Sequence, residues 1–232
     1  MAKKLTLAIG AHCGDVEITN AGVLAKQKKL GDDIAILHMT LGERGHKKLH
    51  PSKYAAQKRK EALNAGKVLN AEVLFAPYAD GELPNNDEAV RIVSEIVRNL
   101  KPTTILTHWR RSIHKDHAYT HTVSMDGILL SVLEAVESKY SPNKNLKGIY
   151  FAENWEDKDE FNPYVYYDIT DTIGHWERCV KKYELFRGGV SDFPYFDYYK
   201  SLFRLRGCES GFKYACAFDI ESINKKVKVN SF

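Results

Sequence analysis

The sequence predicts an α/β fold in which a mostly parallel, doubly wound sheet carries helices on both faces. Three observations lead there. Short apolar runs alternate with helical stretches through the first half of the chain; each apolar run is too short for a good helix; and 232 residues suffice for one substantial core.

The apolar runs fall at residues 5–11 (LTLAIGA), 34–39 (IAILHM), 72–76 (EVLFA) and 104–107 (TILT), each bounded by turn or polar residues. Helical patterns lie between them. Residues 18–30 stop at Gly31, residues 54–69 are rich in Ala and Lys, and residues 88–100 follow Asn85, which with Glu88 makes a capping pair, and stop before Pro102. A longer helix is expected over 118–136, strands over 148–152 and 164–169, and a helix from about 173 to 186. The aromatic stretch SDFPYFDYYKSLF (191–203) has no clear periodicity; it reads first as packing, with the wall of a sugar pocket as the alternative.

Repeated strand–helix–strand order implies right-handed crossovers and the Rossmann-like strand order 3-2-1-4-5. The first and fourth strands are then neighbours at the switch point, and ligands bind beyond their carboxyl ends. That is where the polar clusters fall. His12 and Asp15 follow the first strand, and THWRRSIHKDHAYTH (107–121) follows the fourth.

His12, Asp15 and His117 together offer two imidazoles and a carboxylate, a set that leaves positions for water on Zn²⁺ or another divalent ion. The competing reading makes His12 and His117 core or capping histidines. Two separate clusters converging on the switch point favour the metal. His114 can face the same cleft, with Asp116 orienting its imidazole. His117 and His121, four apart on a helix, are a second chelating pair, but one that leaves the first cluster without a purpose. His38, His46, His50 and His175 are expected to be structural or exposed.

The formal charge of +4 comes from 34 basic and 30 acidic residues mixed along the chain, with only short runs such as those at 58–60 and 225–228, so no nucleic-acid footprint is expected. The basic N-terminal start precedes an apolar run too short to span a bilayer and ended by His and Asp, so neither export nor membrane insertion is expected. The four cysteines form no CxxC pair, which fits a reduced cytoplasm. One domain over 1–232 is expected, and a homo-oligomer is compatible with the sequence.

HCGDVE (His12 to Glu17) and HKDH (His114 to His117) resemble the paired motifs, His-Pro-Asp-Asp-Glu and His-Pro-Asp-His, of the PIG-L/LmbE-like deacetylases, which use zinc to remove acetyl groups from N-acetylglucosaminyl compounds. GERG (42–45), KRKEALNAGKVLN (58–70) and YACAF (214–218) are weaker landmarks that extend the resemblance over most of the chain. The resemblance implies a zinc-dependent amidohydrolase acting on a small N-acetylated sugar. It implies that His12, Asp15 and His117 bind the metal, that a protonated His114 held by Asp116 stabilises the oxyanion and protonates the leaving amine, and that Lys58 contacts substrate where the family often has arginine.

Two positions depart from the pattern. Gly14 stands where the family has its general-base aspartate, and Cys216 where the last motif is usually acidic. Zinc lowers the pKa of its bound water to roughly 7, so loss of that base costs rate rather than mechanism, and three groups could replace it: His114 with Asp116, Glu17, or a group on the substrate. The alternatives to a deacetylase are a metal-containing sugar-binding protein without catalysis and a different metal-dependent reaction on a glycoside. Retention of His114 and Asp116 beside the ligands favours an enzyme.

Overall fold

A computed structural model describes residues 4–226. Residues 1–3 of the basic start and Val227 and Lys228 of the 225–228 run lie outside the described residues.

Among the described residues the elements run β1 (Leu5–Gly10), α1 (Asp15–Lys29), β2 (Asp33–Thr40), α2 (Pro51–Leu69), β3 (Glu72–Tyr78), α3 (Asp87–Leu100), β4 (Thr104–Thr107), α4 (Lys115–Val132), β5 (Gly148–Ala152), β6 (Val165–Asp168), α5 (Ile173–Val180), α6 (Tyr195–Ser210) and β7 (Ala215–Asp219). They build one sheet in the order β3-β2-β1-β4-β5-β7-β6. The first five strands are parallel and take the expected order, and β7 pairs antiparallel with both β5 and β6. The strand at β7 was absent from the sequence expectation.

The central strands are buried on both faces, as parallel sheets require, which is why β1 and β2 read as continuous apolar runs. One core packs α1, α2, α5 and α6 against the sheet through Leu24, Ala65, Trp176 and Phe203. The other packs α3 and α4 through Val93, Val97, Val123 and Ile128.

Several element boundaries differ from expectation for local reasons. Helix α1 starts at Asp15, before residue 18, because Glu17 Oε2 accepts a hydrogen bond from Gly14 N (3.1 Å) and satisfies a free donor of the first turn. The cap of α3 is Asn86 rather than Asn85; its side chain accepts from Ala89 N. Helix α4 ends at Val132 instead of 136, where the buried Arg98 guanidinium takes the carbonyls of Leu130 and Leu133. Helix α5 stops at Val180 rather than near 186; the tight turn after it sends Tyr183 and Phe186 inward toward the start of α1. The aromatic stretch becomes the start of α6, for which Pro194 is the N-cap residue.

No helix of the described residues is long and apolar enough to cross a membrane.

Candidate metal centre

Gly10 ends β1, and the next residues turn over the carboxyl edge of the sheet beside the segment that follows β4. The two polar clusters meet there. Asp15 Oδ2 accepts from His12 N (2.7 Å) and lies 3.1 Å from His12 Nδ1 and 3.4 Å from His117 Nε2. His12, Asp15, His114 and His117 all line one cavity of about 250 Å³, together with Lys58, Asp80, Trp155, Glu156 and Tyr195.

Residues that were not singled out from the sequence orient these groups. Asp157, fully buried, accepts from both His108 Nδ1 and His117 Nδ1, each at 2.9 Å. A proton on Nδ1 leaves each Nε2 with a lone pair. That of His108 is taken by Ala11 N–H (3.1 Å), whereas that of His117 faces Asp15. So His117 can ligate and His108 cannot. Asp80 Oδ1 and Asp116 Oδ2 stand 3.2 and 3.5 Å from His12 Nε2, which leaves His12 Nδ1 as the donor facing Asp15. Carboxylates behind imidazoles fix tautomer and ring orientation in this way at metal sites.

Among the described residues, three His/Asp groups are close enough to hold an ion: His12–Asp15–His117, His12–His114–Asp116 and His108–His117–Asp157. The last spends its facing atoms on hydrogen bonds among its own members and Ala11. In the second, Asp116 Oδ2 already accepts from Gly81 N (2.7 Å), and His114 Nδ1 from Asp116 N (3.2 Å). The first lines the cavity, with His12 Nδ1 and His117 Nε2 both turned toward the Asp15 carboxylate. The two-imidazole, one-carboxylate set fits zinc or a similar divalent ion and leaves room for water and substrate.

The electrostatics favour a cation at this point. Burial opposes charge on Asp15, yet His117 and His12 hold its carboxyl well below the usual carboxylate range. Burial likewise opposes a charged His117, but Asp15 and Asp157 push its imidazole up to about 10. Against the same penalty, Asp15, Asp116 and Asp80 raise His12 well above its ordinary value. Excess carboxylate charge therefore recruits protons onto the two imidazoles, and a divalent ion would take their place, releasing those protons.

His114 caps α4 and its ring sits edge-on to His12 at 4.6 Å. Its Nδ1 accepts the Asp116 backbone N–H, so it is a neutral imidazole with its proton on Nε2; burial, with His12 and His117 nearby, lowers its pKa. This corrects the expectation of a protonated His114 held by the Asp116 carboxylate, which faces Gly81 and His12 instead. His121 turns away as well: its Nδ1 meets His108 O and its ring packs on Phe151.

Glu17 is removed as a base, because it is fully buried between Gly14 N, the Tyr183 hydroxyl (2.8 Å) and His38. Lys58 is 2 % exposed; its ammonium donates to Cys13 O and lies over the Tyr183 ring. Gly14 has φ 114°, and a Cβ there would lie 3.0 Å from Phe186 Cζ and 3.6 Å from Lys58 Nζ.

His108 was legible as a histidine at the carboxyl end of a strand at the switch point. Asp157 and Glu156 sit in the acidic stretch ENWED after β5, beside β4, a position that strand order alone marks as site-facing. Asp80 follows β3 and carries no such mark.

A helix-covered, mostly parallel sheet with a candidate His/Asp metal centre at its switch point defines an α/β protein of the doubly wound class. The sequence profile of the GlcNAc-PI de-N-acetylase family, PIG-L, matches residues 7–128, and the chain belongs to this family. It is 22 % identical to 4-oxalmesaconate hydratase of Pseudomonas putida KT2440 over 90 % of this chain and 81 % of that one. Among solved structures it resembles GalB, the 4-carboxy-2-hydroxymuconate hydratase of the same organism, with TM-score 0.85, 18 % identity and coverage of 99 % and 100 %. It also resembles N,N'-diacetylchitobiose deacetylase of Pyrococcus horikoshii, with TM-score 0.81, 21 % identity and coverage of 94 % and 84 %. These likenesses establish the LmbE-like fold, and the relatives are enzymes of two kinds.

Two outcomes follow for the site. His12→Ala and His117→Ala should each abolish stoichiometric metal binding in elemental analysis, His114→Ala should retain it, and Asp157→Asn should weaken affinity about 10- to 100-fold in a chelator competition; unchanged metal in both ligand variants contradicts the assignment. Gly14→Asp should lose about 1–3 kcal/mol in thermal unfolding, because φ 114° and Phe186 both oppose a side chain; an unchanged melting temperature shows that the loop relaxes.

Proposed function

We propose that the protein is a metal-dependent hydrolase that removes the acetyl group from a small N-acetylated substrate of the amino-sugar type. The observation that carries this reading is the joining, in one cavity, of the His12–Asp15–His117 donor set with the Nε2–H of His114.

A divalent ion bound by these three residues supplies a Lewis acid that polarises the amide carbonyl and makes water a better nucleophile. The remaining roles belong to the chain. His114, with its proton placed on Nε2 by the helix N-terminus, donates to the developing oxyanion and then to the leaving nitrogen. Lys58, whose ammonium has one protein acceptor and two remaining hydrogens beside the cavity, binds a polar oxygen of the substrate. Trp155, stacked on Phe193 at 4.4 Å, and Tyr195 offer apolar surface for the face of a sugar ring.

The charge of the lining supports amide hydrolysis over hydration of a polycarboxylate. Asp15, Asp80 and Glu156 face the cavity, and Lys58 is the lysine among the described lining residues. A substrate bearing several carboxylates, as the hydratases' substrate names describe, meets repulsion there. A neutral amide does not, and its ammonium product is attracted.

The zinc-loaded protein should release acetate and free amine in equal amounts from members of a panel of N-acetylated amino sugars, and His114→Ala should lose about 10²-fold or more in kcat with metal content intact. Hydration of an unsaturated carboxylic acid with no amide cleavage would overturn the proposal. Sugar binding without turnover would leave a binding protein.

A further inference from the structure

Amide hydrolysis needs a group to take a proton from the attacking water, and position 14 has no side chain to do it. Phe186 and the Lys58 ammonium fill the space where one would start. Other carboxylates near the centre hold hydrogen bonds or ion pairs: Asp15 with His12, His108 and His117; Asp157 with two imidazoles; Asp80 with Arg44 N; Glu17 with Gly14 N and Tyr183; and Asp116 with Gly81 N through Oδ2, its Oδ1 being buried away from solvent.

Glu156 differs from all of these. Its side chain lines the cavity and is 21 % exposed, its Oε2 stands 3.5 Å from His117 Nε2, and neither oxygen accepts a hydrogen bond among the described residues. It therefore presents a bare carboxylate to the side of His117 on which the metal donors converge.

The backbone holds it there. Glu156 N donates to Asn154 Oδ1 (3.1 Å), which also accepts from the Tyr199 hydroxyl (3.0 Å), and Glu156 O accepts from Ile113 N (3.1 Å). Ile113 precedes His114, so the loop bearing the free carboxylate is tied to the loop bearing the acid.

The geometry points to Glu156 as the proton acceptor of the reaction, a role supplied by the loop after β5 in place of position 14. In the step this describes, the water oxygen bonds to the acetyl carbon as one of its protons passes to Glu156. The carbonyl electron pair moves onto oxygen, and collapse breaks the C–N bond while His114 Nε2–H protonates the leaving nitrogen. The proton on Glu156 then restores His114. Acetic acid and amine are the products, which leave as acetate and ammonium.

The inference rests on the hydrolase reading above, and the test separates the two. Wild type, Glu156→Gln and Glu156→Asp are loaded with Zn²⁺ or Co²⁺. Metal stoichiometry, the visible Co²⁺ spectrum, and hydrolysis of both an N-acetylated sugar panel and p-nitrophenyl acetate are measured. Expected is one metal per chain and an unchanged Co²⁺ spectrum in all three, with hydrolysis about 10²- to 10⁴-fold slower in Glu156→Gln and partly recovered in Glu156→Asp. Loss of metal or a changed spectrum in Glu156→Gln overturns the inference by making Glu156 a ligand, and hydrolysis within about threefold of wild type overturns it by making Glu156 dispensable. If wild type cleaves only the ester and Glu156→Gln still slows it, the deacetylase reading falls and the role of Glu156 stands. A wild type that cleaves neither removes both.

Discussion

One carboxylate, Asp157, sets the geometry on which the site depends. It is fully buried and shared by His108 and His117, whose histidines hold its carboxyl well below the usual range even though burial works the other way. Leaving such a charge unpaired inside a protein costs several kcal/mol, about 3–5 when one partner is removed. The pairing therefore locks both rings. His108 spends its other nitrogen on Ala11 N–H, which ties the loop after β1 to the end of β4, and His117 is left with one bare nitrogen aimed at Asp15. The same contact that closes the switch point prepares the ligand.

Much of this was legible in the sequence. Parallel central strands are buried on both faces, so β1, β2 and β4 announce themselves as apolar runs, and their alternation with helices fixes the strand order that brings His12 and Asp15 to His117. The misplaced parts depend on tertiary contacts that leave little local trace. Arg98, reaching from α3, ends α4 before its periodicity does. The role of Asp116 followed from sequence proximity to His114, whereas the first turn of α4 points the carboxylate at Gly81 and gives His114 the backbone N–H. Asp80 and Asp157 arrive from loops far along the chain. Sheet order brings Asp157, after β5, beside the end of β4, whereas the approach of Asp80 to His12 depends on the path of the loop after β3.

Gly14 connects the local chain to the chemistry. A residue at φ 114° is glycine's province, and the helix that starts there is secured by Glu17, itself clamped by Tyr183. Phe186 then packs over the glycine. Phe186, from the segment after α5, closes this corner, so a carboxylate at position 14 would meet both its ring and the strain of a positive φ. A fold that carries both deacetylases and a hydratase among its relatives does not by itself fix the reaction, which depends on the groups placed around the site. In this chain the groups around the His/Asp set include Gly14, Lys58 and Glu156.

The proposed function requires one ion on the cavity side of His117, within reach of His12 Nδ1, Asp15 and His117 Nε2. A crystal structure of the zinc-loaded protein, with anomalous data collected at the zinc edge, tests it most directly. A single anomalous peak within bonding distance of those three atoms is the expected result. A peak between His108, His117 and Asp157, or between His12, His114 and Asp116, would contradict it.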